Sequence, residues 1–198
     1  MPSAAPPTDL QRYFDKGVQA YTQGFYDYAI DLLLYVIKQA PDATEARRYL
    51  RLAIQKQYTQ SPPSMLFQLG SMVLGAPLLA AATFHCLRGQ PQQAIALYEQ
   101  LLRLQPRSKT LLMQLAGALQ KSKMDDAAMA AYEELLGLDT NHLPALRALA
   151  RLSLKRGKDQ QARHCFERVM SLAPNDVEAQ QSLRNLDALG TIKKSFSL

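Results

Sequence analysis

Gly157-Lys158-Asp159-Gln160-Gln161-Ala162 leads through Phe166 and Val169 to Pro174, and the same order of residue types recurs upstream at a fixed distance. Thirty-four residues earlier, Lys123-Met124-Asp125-Asp126-Ala127-Ala128 leads through Tyr132 and Leu135 to Thr140. Thirty-four earlier again, Gly89-Gln90-Pro91-Gln92-Gln93-Ala94 leads through Tyr98 and Leu101 to Pro106. Near the start, Gly24-Phe25-Tyr26-Asp27-Tyr28-Ala29 leads through Leu33 and Val36 to Pro41. A unit of this length cannot bury both of its faces alone, so copies must stack on one another.

Each copy reads as two helices. In the third, Leu112, Leu115 and Leu119, then Ala128, Tyr132 and Leu135, recur at spacings of three and four around a polar turn, Ser122-Lys123-Met124-Asp125. The fourth repeats this with Leu146, Leu149 and Ala150, then Ala162, Phe166 and Val169. Ala116, Ala128, Ala150 and Ala162 are small enough for a close helix crossing, and Tyr132 and Phe166 are large enough to fill the gap to the next hairpin. Gly157 tolerates the left-handed backbone that ends a helix. Pro106 and Pro174 stop the second helix by removing a donor and clashing with the preceding turn. After the last copy, Asp176 to Leu186 reads as a capping helix with an apolar stripe at Val177, Leu183 and Leu186. Asp176 and Glu178 put negative charge at its start, where the helix dipole favours it.

This period, with its order of small, aromatic, small and Pro residues, resembles the tetratricopeptide repeat. The resemblance implies an all-α fold of about ten or eleven helices: a right-handed superhelix of antiparallel helix hairpins, or α-solenoid, with a C-terminal capping helix. The expected organisation is a flexible N-terminus (1–9) and a single repeat domain (10–188), followed by a flexible tail (189–198). Within the domain the repeats fall at 10–43, 75–108, 109–142 and 143–176, with an irregular insertion or degenerate repeat at 44–74 and the cap at 177–188. The first repeat matches at Tyr13, Gly17, Ala29, Leu33 and Pro41 but carries Lys16 where the family has a large apolar residue.

The period breaks after the first repeat. A helix from Thr44 to about Tyr58 has an inner face of Ala46, Tyr49, Leu50, Ala53 and Ile54 and a basic outer face of Arg47, Arg48, Arg51 and Lys56. Ser61-Pro62-Pro63 then interrupts the chain, and no Asp, Glu, Lys or Arg occurs from Gln57 to Leu87. The expectation is a shortened helix over 64–74 and a separate helix over 76–88, divided at Gly75-Ala76-Pro77. Leu66, Leu69, Val73, Leu78 and Leu79 are expected to pack within the protein. The alternatives are a segment lying in or near the concave groove, self-association through 61–79, and membrane insertion; the interrupting prolines leave pieces too short to span a bilayer individually.

Composition excludes several classes. A 47% apolar content supplies a core, and a net charge of +6 permits an acidic partner without demanding one. Cys86 and Cys165 form no disulfide framework and are expected to be buried, reduced thiols. The N-terminus lacks a basic region followed by an apolar core, so a cytoplasmic protein is expected. His85, His142 and His164 have no second ligand at metal-binding spacing, and His164 and Cys165 point in different directions around a helix. No phosphate loop or nucleophile elbow is present. No enzyme activity, small-molecule substrate, metal or other cofactor is expected.

In the family, the ligand-facing positions lie on the first helix of each repeat. The resemblance therefore marks Phe14, Val18 and Tyr21, Met113 and Lys121, and Arg147, Arg151 and Lys155 as partner-binding residues. The last three are spaced by four, so they form one cationic stripe that a partner's carboxylates would relieve. The family's clamp for chaperone C-termini needs Lys and Asn where this chain has Phe14 and Val18, and an Asn in the next repeat, which offers Leu79 and Thr83, so that pattern is absent. The implied function is a non-enzymatic scaffold binding a peptide or protein segment, with acidic partner residues meeting the stripe. The competing readings are a nucleic-acid or anionic-surface binder and a membrane-associated assembly factor using 57–87. Against nucleic acid, seven of nine tyrosines lie before residue 60, away from the later basic residues.

Overall fold

The computed structural model describes the backbone of residues 7–61 and 65–195 and the side chains of 9–61, 70 and 75–189. Among the described residues the protein is all α, with ten helices and no strand. They are α1 (Pro7–Thr22), α2 (Tyr26–Gln39), α3 (Thr44–Gln60), α4 (Met65–Leu87) and α5 (Pro91–Leu104), followed by α6 (Lys109–Lys121), α7 (Asp125–Leu138), α8 (Leu143–Lys155), α9 (Asp159–Leu172) and α10 (Val177–Ser195). The chain divides into two compact units, 1–127 and 128–198, with the boundary inside α7. In the first, α1 packs on α2, α2 on α3, α4 on α5 and α5 on α6. In the second, α8 packs on α9 and α9 on α10.

The repeat is visible in the backbone. Gly24, Gly89, Lys123 and Gly157 occupy the same turn position, and all four have positive φ, at 85°, 73°, 61° and 69°. Glycine adopts this conformation without a Cβ penalty, and the third copy places a lysine there. The helix starts repeat as well. Ser108 Oγ accepts from the Leu111 N–H, His142 Nδ1 from the Ala145 N–H and Asp176 Oδ1 from the Ala179 N–H, at 3.4, 3.3 and 2.9 Å. Each cap satisfies one of the four donors that a helix start leaves without an internal partner. Tyr98, Tyr132 and Phe166, thirty-four residues apart, are all fully buried. Ala116, Ala128, Ala150 and Ala162 are fully buried too. In the first hairpin Gly17 is the close-approach residue, since a Cβ there would stand 3.0 Å from Leu33 Cγ.

Where the period breaks, the structure corrects the sequence reading in three ways. First, α4 is one helix of 23 residues that runs through Gly75 and Pro77, not two helices divided there. Proline's fixed φ suits a helix, and its cost is one lost backbone hydrogen bond and a steric clash one turn back. Close packing offsets part of that cost: Gly75 lies against Leu101 of α5, where a Cβ would come within 3.0 Å, and Ala82 is fully buried. Leu78 and Leu79 are half-buried, while the side chains of Leu66, Leu69 and Val73 lie outside the described residues. No helix among the described residues is long and apolar enough to cross a membrane.

Second, Arg47 does not belong to an exposed basic face. It is buried, and its Nε donates to Glu99 Oε1 of α5 at 2.7 Å, while its Nη1 donates to the Pro41 carbonyl. Arg51, half-buried beside it, donates from Nη2 to the Pro106 carbonyl at 3.0 Å. Arg103 of α5 reaches back to Asp31 of α2 at 3.4 Å. These bonds tie α5 to α2 and α3 across the interruption in the period. α3 still contributes Ala46, Leu50, Ala53 and Ile54 to a core shared with Ala29, Ile30, Leu33 and Val36 of α2.

Third, α10 continues to Ser195, beyond the boundary expected at 188. Val177 is exposed rather than part of the apolar stripe, and Ala179 and Leu186 are the buried residues. Of the cysteines, Cys165 is buried and Cys86 only half-buried, and neither is in a disulfide.

Lys123 bears a left-handed strain that its three counterparts avoid. Lys123→Gly should stabilise the protein by about 0.5–1 kcal/mol, the net of relieved αL strain and added chain entropy. Chemical denaturation checks this, expecting a higher midpoint at an unchanged slope.

Candidate functional site

Two surfaces, one in each unit, carry most of the residues singled out from the sequence. In the first unit, Phe14, Val18 and Tyr21 lie along α1 at spacings of four and three, so they share one helix face. All three are half-buried. Tyr49 of α3 joins them: its ring meets Phe14 edge-on at 5.9 Å between centroids and Tyr21 at 5.9 Å. Tyr21 in turn meets Tyr26 of α2 at 5.8 Å. The result is a continuous row of four aromatic rings across three helices. Such contacts suit the ring quadrupoles and hold the rings in place without burying them fully. At the Tyr26 end, a shallow cleft of about 280 Å³ is lined by Phe25, Tyr26, Tyr28, Gln57 and Gln60. Phe25 and Tyr28 are both more than half exposed there.

Tyr49 and Tyr26 were missed in the sequence. The spacing puts Tyr49 on the inner face of α3, outside the positions that the resemblance marks as ligand-facing. Met113 and Lys121 both sit on α6, Met113 half-buried and Lys121 exposed.

In the second unit the cationic stripe is present but already engaged. Arg147 Nε donates to Asp176 Oδ2 at 2.7 Å, and Arg151 donates from both Nε and Nη2 to the two carboxylate oxygens of Glu178. The repulsion along the stripe is thus relieved by the chain's own carboxylates, at the start of α10. The two pairs differ in exposure. The Asp176 side chain is 6% exposed, whereas those of Arg151 and Glu178 are 56% and 40% exposed. Lys155 completes the stripe and is exposed. Glu178 was legible as negative charge at a helix start but not as the partner of Arg151, since the two are twenty-seven residues apart.

The Asp176 carboxyl is held below its usual range, first by the Ala179 N–H and then by Arg147. Arg151 likewise holds the Glu178 carboxyl down. Burial pushes the Cys165 thiol up, which works against thiolate formation. Burial, with the neighbouring Cys86 adding to it, pushes the Tyr98 phenol up to about 12. Among the described residues no three His, Cys, Asp or Glu side chains converge as a metal site. His142 serves as a helix cap.

Two tetratricopeptide repeat family models match the chain, at residues 88–142 and 125–186, and together they span half of it. No curated protein sequence matches. Solved structures with the same fold include MamA, 20% identical, with a TM-score of 0.53 over 94% of this chain and 85% of that one. The first repeat domain of Spaghetti (RPAP3), bound to an HSP90 peptide, is 21% identical, with a TM-score of 0.54 over 59% of this chain and 93% of that one. The Yersinia enterocolitica type III secretion chaperone SycD, in complex with a peptide of the translocator YopD, is 16% identical, with a TM-score of 0.53 over 58% and 93%.

Asp176 both caps α10 and holds Arg147, so its loss should show in stability. Asp176→Ala should cost about 1 kcal/mol or more, a fall of roughly 2–4 °C in melting temperature for each kcal/mol in a protein of this size. The folded carboxyl titrates below its ordinary value of 3.8, so its stabilisation is fully present above that pH. The gap between parent and variant should therefore close as the pH falls through the lower folded value. Thermal melts across acid pH check this.

Proposed function

Because this chain belongs to the tetratricopeptide repeat family, we propose that it is a non-enzymatic scaffold that holds a peptide or protein segment. The observation that carries this reading is the aromatic row of the first unit. Phe14, Val18 and Tyr21 are half-buried on the helix face that the family uses for ligands, and Tyr49 and Tyr26 support them from α3 and α2. Rings braced in this way lose little conformational freedom on binding, which favours them as apolar anchors. Met113 and Lys121 on α6, and Arg147, Arg151 and Lys155 on α8, are proposed contacts of the same kind.

Supporting this reading, the related repeat domain of Spaghetti is bound to an HSP90 peptide and SycD to a YopD peptide. The HSP90 peptide itself does not carry over, because Phe14 and Val18 stand where the chaperone clamp requires Lys and Asn. A polyanion partner fits less well. Arg12, Arg47, Arg48, Arg103, Arg147, Arg151 and Arg163 each pair with a carboxylate of this chain, so these guanidinium groups already have anionic partners, although the net charge of +6 stays. A cytoplasmic location belongs to the same proposal.

A photo-crosslinking residue placed at Val18 tests it, with an equivalent residue at the exposed Ala96 of α5 as the control. In native extract, Val18 should give a discrete protein adduct that Ala96 does not. Phe14→Ala should reduce that adduct severalfold while leaving the circular dichroism unchanged. Equal labelling from both positions would sink the proposal.

A further inference from the structure

We propose that the exposed surface shared by α8 and α10 is a carboxylate-exchange site, which takes an acidic segment of the partner with Glu178 as the internal occupant it displaces. The inference rests on the scaffold reading and adds the chemistry of one contact. The Arg151 guanidinium presents two N–H donors to the two oxygens of Glu178, the fork geometry that matches any carboxylate. An exposed pair of this kind contributes little net stability, because water and salt screen it and both side chains lose freedom. It can therefore open without unfolding α10.

The neighbouring pair shows the contrast. Asp176 has a little-exposed side chain, caps the helix through Ala179 and binds Arg147, so it is a fixed part of the structure. Ala179 and Leu186, the buried residues of α10, keep the helix docked when Glu178 lets go. Gln181 and Asn185 lie three and seven residues after Glu178, on the same face of α10, and both are exposed. Their amides can donate to and accept from the backbone of an extended chain. The fork on Arg151 thus selects an occupant with a carboxylate: a partner carboxylate replaces Glu178 there, beside the exposed amides.

A short fluorescent oligoglutamate peptide is the probe, with binding followed by anisotropy at low and high salt. Glu178→Gln removes the internal competitor and should tighten binding about two- to fivefold, the range set by the worth of an exposed ion pair. Arg151→Lys keeps the charge but loses the fork, and should cancel that gain when combined with Glu178→Gln. Circular dichroism of each variant should match the parent. If the peptide binds the parent through Arg151 yet Glu178→Gln leaves its affinity unchanged, Glu178 is not a competitor and the proposal is overturned. Failure of the peptide to bind even Glu178→Gln overturns it too. Neither result touches the scaffold reading, which the Val18 adduct decides separately.

Discussion

The buried pair between Arg47 and Glu99 holds the first unit together at the point where its repeat fails. A hairpin array survives only if each hairpin covers the next. After α3 the chain supplies no regular second helix, and the interruption around Ser61-Pro62-Pro63 precedes the long helix α4. α5 is then tied against α3 by Arg47 on Glu99, and the turn after it by Arg51 on the Pro106 carbonyl. Burying two charges is costly unless they meet in good geometry with their remaining sites filled. Arg47 meets that condition through its second bond to Pro41. Burial pushes the Glu99 carboxyl above its ordinary value, while Arg47 and then Arg51 act to lower it.

The regular part of the fold was legible because its signals are local. Apolar spacings of three and four mark the helices, and the turn glycines and following prolines mark their ends. The structure adds that the turn residue and the helix cap repeat as a pair, so Lys123 takes the glycine's backbone and His142 takes the role of Ser108 and Asp176. The irregular part was not legible. Pro77 reads as a breaker in isolation, but packing of the small residue Gly75 against Leu101 and burial of Ala82 accompany an unbroken helix. Arg47 reads as solvated because its partner is fifty-two residues away. Sequence spacing carries no information about such a contact.

The candidate surfaces show the same division. Phe14, Val18 and Tyr21 could be placed on one helix face from spacing alone, and they share that face. That Tyr49 and Tyr26 extend them into a row depends on how α1, α2 and α3 pack. The arginine stripe of α8 was also readable as a stripe. Its engagement by Asp176 and Glu178 was not, since it requires the start of α10 to lie beside α8. The stripe therefore acts as part of the protein's own architecture, with Arg147 fixed and Arg151 held by an exposed contact.

A double-mutant cycle at Arg47 and Glu99, read by denaturant unfolding, tests the central role of the buried pair most directly. Arg47→Met should cost about 3–5 kcal/mol, because it leaves the Glu99 carboxylate buried without its partner. Adding Glu99→Leu should restore most of that loss, since apolar side chains of similar size can replace a buried pair at little cost. The coupling between the two sites would then be large. Strictly additive effects, or an Arg47→Met variant as stable as the parent, would show that α5 is held against α3 by something other than this pair.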